Sequence, residues 1–222
     1  MTCARHPAAG NHRGHCAACL LENAIGQDPQ PPVPQTDDSI TIQLPLGRSL
    51  SSSVLLVRSN GAPFRLLRMK TWHAAAPSDF MSRFQRLQRR LSEWNDAAVR
   101  APLAAWVDAS RRASVLSEFS QGVPIIDRVQ SGGLDPDDAE ACLDRLRDII
   151  CTGHRRGLVH GSLGNGNIIV TARCDRAYLL DFGHAALVAD DSDDPPAPSV
   201  DIAALDGLTA AVRRQSTPSL SL

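Results

Sequence analysis

Two side chains with oxygen donors, Asn167 and Asp181, stand next to short apolar runs and could together hold a hard cation. Asn167 ends a polar loop that begins at His160 and leads into an apolar run at residues 168–170, while Asp181 directly follows a second run at residues 178–180. A turn between the two runs would bring both side chains to the same edge. Because Mg²⁺ takes oxygen ligands from protein, phosphate and water, the pair predicts half of a metal–phosphate site.

The segments 160–170 and 178–183 resemble the catalytic loop and the Asp-Phe-Gly segment of the protein kinase superfamily. The matching residues are His160, Asn167, Asp181, Phe182 and Gly183. This resemblance implies that Asn167 and Asp181 bind Mg²⁺ and ATP, and that His160 belongs to the catalytic loop. Ser162 stands where the family has its catalytic Asp, so the side chain that would orient the attacking hydroxyl is missing.

Lys70 is the single lysine among the 23 Lys and Arg residues of the chain. It ends the last of three short apolar runs that predict a β-meander between residues 40 and 70, and its position resembles that of the kinase lysine that pairs with the ATP phosphates. A lone surface lysine is the alternative. The helix predicted at residues 78–94 resembles the family's C-helix but has no acid between Asp79 and Glu93. We therefore expect Lys70 to lack its usual glutamate partner.

The connection at residues 46–54 resembles the glycine-rich loop of the family, and the resemblance implies that Gly47 contributes to ATP binding. Ser49 and Ser52 stand where that loop has its second and third glycines. Since glycine lets a backbone approach phosphates closely, we expect nucleotide binding to be weakened. Glu118, near the end of a later predicted strand, resembles a residue of the hinge that meets the adenine ring, and it completes the implied ATP-binding set.

A buried helix is predicted at residues 135–153, where Asp-Pro-Asp-Asp supplies an N-cap and an acidic first turn. A last helix begins near residue 200. In it, Asp201 resembles the family's aspartate that hydrogen-bonds the catalytic-loop backbone, with a plain helix cap as the alternative. Only seventeen residues separate Gly183 from Asp201, so the resemblance implies a shortened C-lobe without the peptide-docking segment.

Two pairs of metal-ligand residues occur in the first 25 residues, each with a spacing of two: Cys3 with His6, and Cys16 with Cys19. Such pairs chelate through tight turns, and four ligands of this kind complete a tetrahedral Zn²⁺ site. The pattern resembles the first cluster of B-box and ribbon zinc modules. A flexible tail with coincidental cysteines is the alternative, and a disulfide is disfavoured because nothing suggests export.

Composition excludes several classes of partner. The formal net charge is −1, so no global field attracts nucleic acid or an acidic membrane. No apolar run approaches the length of a membrane span, and no signal-peptide pattern begins the chain. We expect a soluble, cytoplasmic protein. The proline-rich residues 26–38 predict an extended linker behind the cysteine cluster.

The expected architecture is α+β: a two-lobed protein-kinase-like fold preceded by a small Cys/His zinc module. Residues 39–119 are expected to form a β-rich N-lobe with one helix, residues 120–213 a shortened, mainly helical C-lobe, and residues 214–222 a tail.

The favoured function is a pseudokinase that binds Mg-ATP weakly and acts in regulation or scaffolding through a protein partner that the sequence does not identify. Two alternatives stay open. The first is an active atypical serine/threonine-type kinase or small-molecule phosphotransferase, because phosphoryl transfer depends mostly on positioning and charge neutralisation. The second is a zinc and kinase-fold interaction module that binds no nucleotide.

Overall fold

The computed structural model describes residues 11–12, 15–16, 40–60, 65–190 and 196–216. The chain divides into two units, Met1–Asp37 and Asp38–Leu222. In the first unit, β1 (Asn11–His12) pairs antiparallel with β2 (His15–Cys16).

Most of the predicted zinc site lies outside the described residues. This is true of Cys3, His6 and Cys19, and for Cys16 only the backbone is described. The zinc module therefore stays a prediction, and so does the linker at residues 26–38.

Five strands follow in the second unit. They are β3 (Ile40–Arg48), β4 (Ser52–Ser59), β5 (Leu66–Ala75), β6 (Pro102–Val107) and β7 (Arg112–Glu118). All pair antiparallel, in the order β3-β4-β5-β7-β6. The predicted meander is confirmed, and its third strand continues past Lys70, which therefore lies in the middle of β5 rather than at its end.

Alternation along β5 separates an apolar face of the sheet from a charged one, because successive strand side chains point to opposite faces. Met69 packs on one face in a small apolar cluster with residues of β4 and β7. Arg68, Lys70 and Trp72 share the other face, where Trp72 joins the main hydrophobic core. Two cationic side chains thus lie on the face of the sheet that looks toward the rest of the unit.

Helix α1 (Phe80–Trp94) packs against this charged face. The ring of Phe80 lies 6.3 Å from that of Trp72, edge to face. Five side chains spaced along one side of the helix are buried, and these are the ones whose periodicity predicts the helix: Phe80, Phe84, Leu87, Leu91 and Trp94. Their burial contributes on the order of 10 kcal/mol before chain entropy is counted, so packing rather than capping stabilises α1.

The remaining elements are mostly helical. They comprise α2 (Ile125–Gln130), α3 (Pro136–Arg155), α4 (Ala185–Val188), α5 (Pro198–Ser216) and a small sheet of β8 (Val123–Pro124), β9 (Ile168–Val170) and β10 (Ala177–Leu179). The Asp135 side chain caps α3 by accepting from the Asp137 N–H at 2.9 Å, as predicted. The fold is α+β, as the sequence predicts. In the described ranges no helix is both long and apolar enough to cross a membrane.

Candidate functional site

The hairpin of β9 and β10 brings Asn167 and Asp181 to one edge. Ile168 pairs with Leu179, and the Leu180 N–H donates to the Asn167 carbonyl oxygen at 2.8 Å. Asp181 follows with a φ of 61°, a left-handed conformation that costs a non-glycine residue on the order of 1–3 kcal/mol. The chain therefore turns sharply at the carboxylate that the sequence singles out.

Close packing against α1 holds the segment after Asp181 in place. Gly183 has a φ of 76°, and a Cβ built on it would lie 2.6 Å from the Leu87 Cδ1 atom. The buried Phe182 ring meets Trp94 edge to face, with 5.1 Å between ring centroids. A side chain at position 183 would displace the end of the Leu87 side chain and would be strained at this φ, so glycine is favoured here by both its size and its conformation.

Two cations hold the Asp181 carboxylate. Arg68 binds it with both arms of its guanidinium, through Nη1 to Oδ1 at 2.5 Å and Nη2 to Oδ2 at 2.9 Å. Lys70 Nζ donates to Oδ2 at 2.9 Å. Only 1% of the Asp181 side chain is exposed. Bidentate, charge-assisted hydrogen bonds of this kind are among the strongest polar contacts in proteins.

The charges around Asp181 keep it ionised. Burial by itself would raise its pKa, but the electrostatic pull of His184, Arg68 and Lys70 outweighs burial and holds the pKa well below its ordinary value. His184 contributes a positive charge only at acidic pH, since burial lowers its own pKa from 6.5 to about 4. At neutral pH, Arg68 and Lys70 are therefore the cations that neutralise Asp181.

Lys70 has a partner other than the helix glutamate that the sequence predicts to be missing. The described helix α1 offers it no acid, and Asp181 takes the place of the missing glutamate. Its ammonium also lies 5.2 Å from the centre of the Trp72 ring, within the range of a cation–π contact. A lone surface lysine, the alternative interpretation, is excluded because only 14% of its side chain is exposed.

His160 is a buried structural residue of the loop. Its Nε2–H donates to the Leu180 carbonyl oxygen at 2.8 Å, which fixes the tautomer, and its Nδ1 accepts from the Ser162 N–H at 3.4 Å. Burial lowers its pKa despite the nearby carboxylates. The imidazole is therefore neutral, and both of its nitrogens form hydrogen bonds with backbone groups. The Ser162 side chain beside it is exposed.

Asp201 anchors the loop backbone from α5. Its Oδ2 accepts from the His160 N–H at 2.8 Å and its Oδ1 from the Gly161 N–H at 2.9 Å. Oδ2 also lies 2.8 Å from the Nε2 atom of His154 on α3. This is the role that the kinase resemblance implies, and it excludes the plain helix cap.

The loop between β3 and β4 is closed by its own hydrogen bonds. Ser49 N–H donates to the Ser52 carbonyl oxygen at 2.8 Å, and Ser49 Oγ accepts from the Ser52 N–H at 3.0 Å. Gly47 pairs with Val54 inside the ladder, and a Cβ there would meet nothing within 4 Å. The serines thus form hydrogen bonds within the turn. This agrees with the expectation that the backbone of this loop binds phosphate less well than a glycine-rich loop.

Glu118 lies at the end of β7, where it pairs with Leu67 next to the Arg68–Ser117 pair, so alternation points its side chain to the other face of the sheet from Arg68 and Lys70. Its side chain is half exposed and faces Arg100, with 3.6 Å between Oε2 and Nη1. The neighbouring Phe119 N–H donates to the Leu66 carbonyl oxygen at 3.3 Å. That N–H is engaged within the sheet, so a bound purine would have to use other backbone groups of this segment.

The donor set does not fit Mg²⁺ as it is arranged. Both oxygens of Asp181 are bound by cationic groups, and the described ranges contain no cluster of three or more His, Cys, Asp or Glu side chains suited to a metal. Asn167 comes to the same edge, but a metal there would have to displace Arg68 from the carboxylate. Metal binding by this pair stays a prediction that the geometry does not support.

A cavity of about 790 Å³ opens beside α1, and Leu87 and Gly183 are among its lining residues. Arg83, Arg86, Arg89 and Arg90 line it, and its described lining includes none of the predicted ATP-binding residues. Two of these arginines hold neighbouring backbone: Arg83 Nη1 donates to the carbonyl oxygen of residue 189 at 2.6 Å, and Arg90 Nη2 to that of residue 156 at 2.8 Å.

Fold and site are compatible with a kinase-like domain, and sequence comparison supports that relationship. No protein-family model matches the chain. Over 119 residues, or 53% of the chain, the sequence is 30% identical to serine/threonine-protein kinase pkn2 from Myxococcus xanthus. The match covers 14% of that relative, so the chain corresponds to a small part of its length.

Arg68 is the site residue that the sequence interpretation missed. It stands two residues before Lys70 on the same strand face, where the Val-Ala-Ile-Lys pattern of protein kinases has alanine. The signal available in the sequence was an arginine two positions before the single lysine, on the same face of the predicted strand. That signal does not reveal the partner, which lies 113 positions further along the chain.

Proposed function

We propose that residues 39–119 and 120–213 are the two lobes of a protein-kinase-like domain that binds ATP weakly and does not transfer phosphate efficiently. In this proposal the protein is a pseudokinase that regulates or scaffolds a protein partner. The observation that carries it is the contact between Lys70 and Asp181, 2.9 Å apart. The kinase pattern assigns the first to the ATP phosphates and the second to the Mg²⁺ that bridges them.

The chemistry of the loop supports impaired catalysis. Residues 160–167 contain no carboxylate, and the Ser162 hydroxyl is not a base near neutral pH. His160 does not replace it, because its Nε2–H is committed to a backbone carbonyl and its Nδ1 faces a backbone N–H. A group that accepts the proton of an incoming hydroxyl is therefore missing where the family has one.

One observation favours a second candidate, the interaction module that binds no nucleotide. Arg68 is buried against Asp181 and satisfies both carboxylate oxygens without any ligand. A site completed by its own side chains is stable when empty. In this alternative the cationic pair serves only to hold β5 to the Asp-Phe-Gly segment.

Thermal-shift and calorimetric titrations with ATP and adenosine distinguish the pseudokinase from the interaction module. For a pseudokinase that binds ATP, we expect a dissociation constant of tens to hundreds of micromolar, about −5 to −6 kcal/mol. Lys70→Met should weaken the binding of ATP more than the binding of adenosine, because it removes a phosphate contact. Arg147→Gln is the matched control, since it breaks an exposed pair with Asp206 outside the site. No binding by wild type at about millimolar ATP would refute the nucleotide role and favour the interaction module.

A transfer assay tests the remaining part of the proposal. Labelled ATP is incubated with the full chain, and both autophosphorylation and phosphate release are measured. Both should stay near background. Sustained turnover by the unmutated chain would show that it is an active, atypical phosphotransferase.

A further inference from the structure

The carboxylate of Asp181 is nearly saturated with cationic donors. Oδ1 accepts from one arm of Arg68 and lies 3.3 Å from His184 Nδ1. Oδ2 accepts from the other arm of Arg68 and from Lys70. A carboxylate offers about four lone-pair positions, and three are occupied by N–H donors. A divalent cation would have to compete with Arg68 and Lys70 for these oxygens.

The charge of the cluster disfavours a metal and favours an anion. With His184 neutral, Arg68, Lys70 and Asp181 together carry a net charge of +1. Adding a divalent cation would place three excess positive charges in a buried site, where repulsion is screened much less than in water. A phosphate group would instead bring the negative charge that this cluster lacks.

Enough donors remain to bind such an anion. A guanidinium has five N–H donors and an ammonium three, and Asp181 uses two from Arg68 and one from Lys70. Their remaining donors make no other hydrogen bond within the described part of the chain. Guanidinium groups also match the geometry of phosphate oxygens.

We propose that Arg68 takes the place of the divalent cation, so that Arg68 and Lys70 bind the polyphosphate of a nucleotide without metal. This inference rests on the proposed nucleotide-binding role and names the residue that sets its metal requirement. Asp181 orients the two cations in this arrangement and is not a metal ligand. The family pattern, with alanine at this position, leaves that place to Mg²⁺.

The test is titration of the full chain with ATP and with inorganic tripolyphosphate, each in EDTA and in excess MgCl₂. We expect wild type to bind both ligands in EDTA, with ATP affinities in the two conditions within about threefold of each other. Arg68→Met should bind ATP at least about tenfold more weakly in EDTA and recover with MgCl₂, because Asp181 is then open to the metal. Arg147→Gln should behave as wild type.

The outcomes distinguish failure of the inference from failure of the nucleotide-binding role. ATP binding by wild type only with MgCl₂ would overturn the inference and leave the nucleotide role standing. Equal binding of ATP and tripolyphosphate in EDTA would support the inference while refuting specific nucleotide recognition. Absence of binding to either ligand would overturn both.

Asp181→Asn gives an independent reading if Arg68→Met does not fold. A metal ligand at this position predicts loss of Mg-ATP binding in the variant. The inference predicts the opposite, because Arg68 and Lys70 lose their internal anion and gain more from phosphate. Tripolyphosphate in EDTA should raise the melting temperature of Asp181→Asn more than that of wild type, and a smaller rise would count against Arg68 as the metal substitute.

Discussion

Replacing His184 with glutamine should reduce the loss of stability on acidification. The imidazole is buried directly after Gly183, and its ring lies 5.9 Å from that of Trp72. Within the described residues, neither ring nitrogen has a hydrogen-bond partner. Burial disfavours the charged form and lowers the pKa of His184 from 6.5 to about 4.

The direction of the pH effect follows from proton binding in the two states. The unfolded chain protonates this side chain below pH 6.5, whereas the folded protein does so only below about 4. The unfolded state therefore binds more protons in this window, and the free energy of unfolding falls as pH drops from 6.5 toward 4. A difference of about 2.5 pKa units corresponds to about 3 kcal/mol. His160 also contributes to the loss of stability on acidification, because burial lowers its pKa as well.

Urea unfolding followed by circular dichroism measures the effect near pH 7 and near pH 4.5. We expect His184→Gln to lose about 2.5 kcal/mol less stability than wild type over this range. His73→Gln is the matched control, since His73 is an exposed histidine on β5, and it should keep the wild-type dependence. Equal losses of unfolding free energy in wild type and His184→Gln would refute the conclusion that the buried imidazole is neutral in the folded protein.

Three further predictions concern the loop and the N-terminal cluster. Asp201→Ala leaves two backbone N–H groups of the loop without their acceptor and should cost about 2–5 kcal/mol of unfolding free energy. Asp206 lies on the same helix as Asp201, and Asp206→Ala breaks only its exposed pair with Arg147 of α3, so it should cost less than about 1 kcal/mol. Equal costs of the two substitutions in urea unfolding would contradict the anchoring role. Ser162→Asp alone should restore little phosphate transfer in the labelled-ATP assay, because the glycine-rich loop and helix glutamate are still absent; a large gain would show that one missing carboxylate explains the inactivity. Zinc analysis should find about one Zn²⁺ per chain, lost when Cys16 and Cys19 are both changed to serine; wild type without zinc, prepared without chelator, would exclude the module.

Local patterns in the sequence determined the secondary structure well. The apolar runs between residues 40 and 70 predict strands, and the spacing from Phe80 to Trp94 predicts which side of α1 is buried. Both follow from the fixed periods of strand and helix. The kinase resemblance added the anchoring role of Asp201, whose hydrogen bonds to the loop the structure confirms.

Only the tertiary structure decided what the carboxylate of Asp181 does. The sequence predicts an oxygen ligand beside Asn167, and the hairpin does bring the two together. The actual partners of the carboxylate come from β5, more than a hundred positions away. Periodicity places Arg68 and Lys70 on one face of a strand, but it does not say which segment packs against that face. That choice depends on the packing of α1 and Gly183 around the segment, because this packing brings a buried carboxylate within hydrogen-bonding distance of two cations, which bind both of its oxygens.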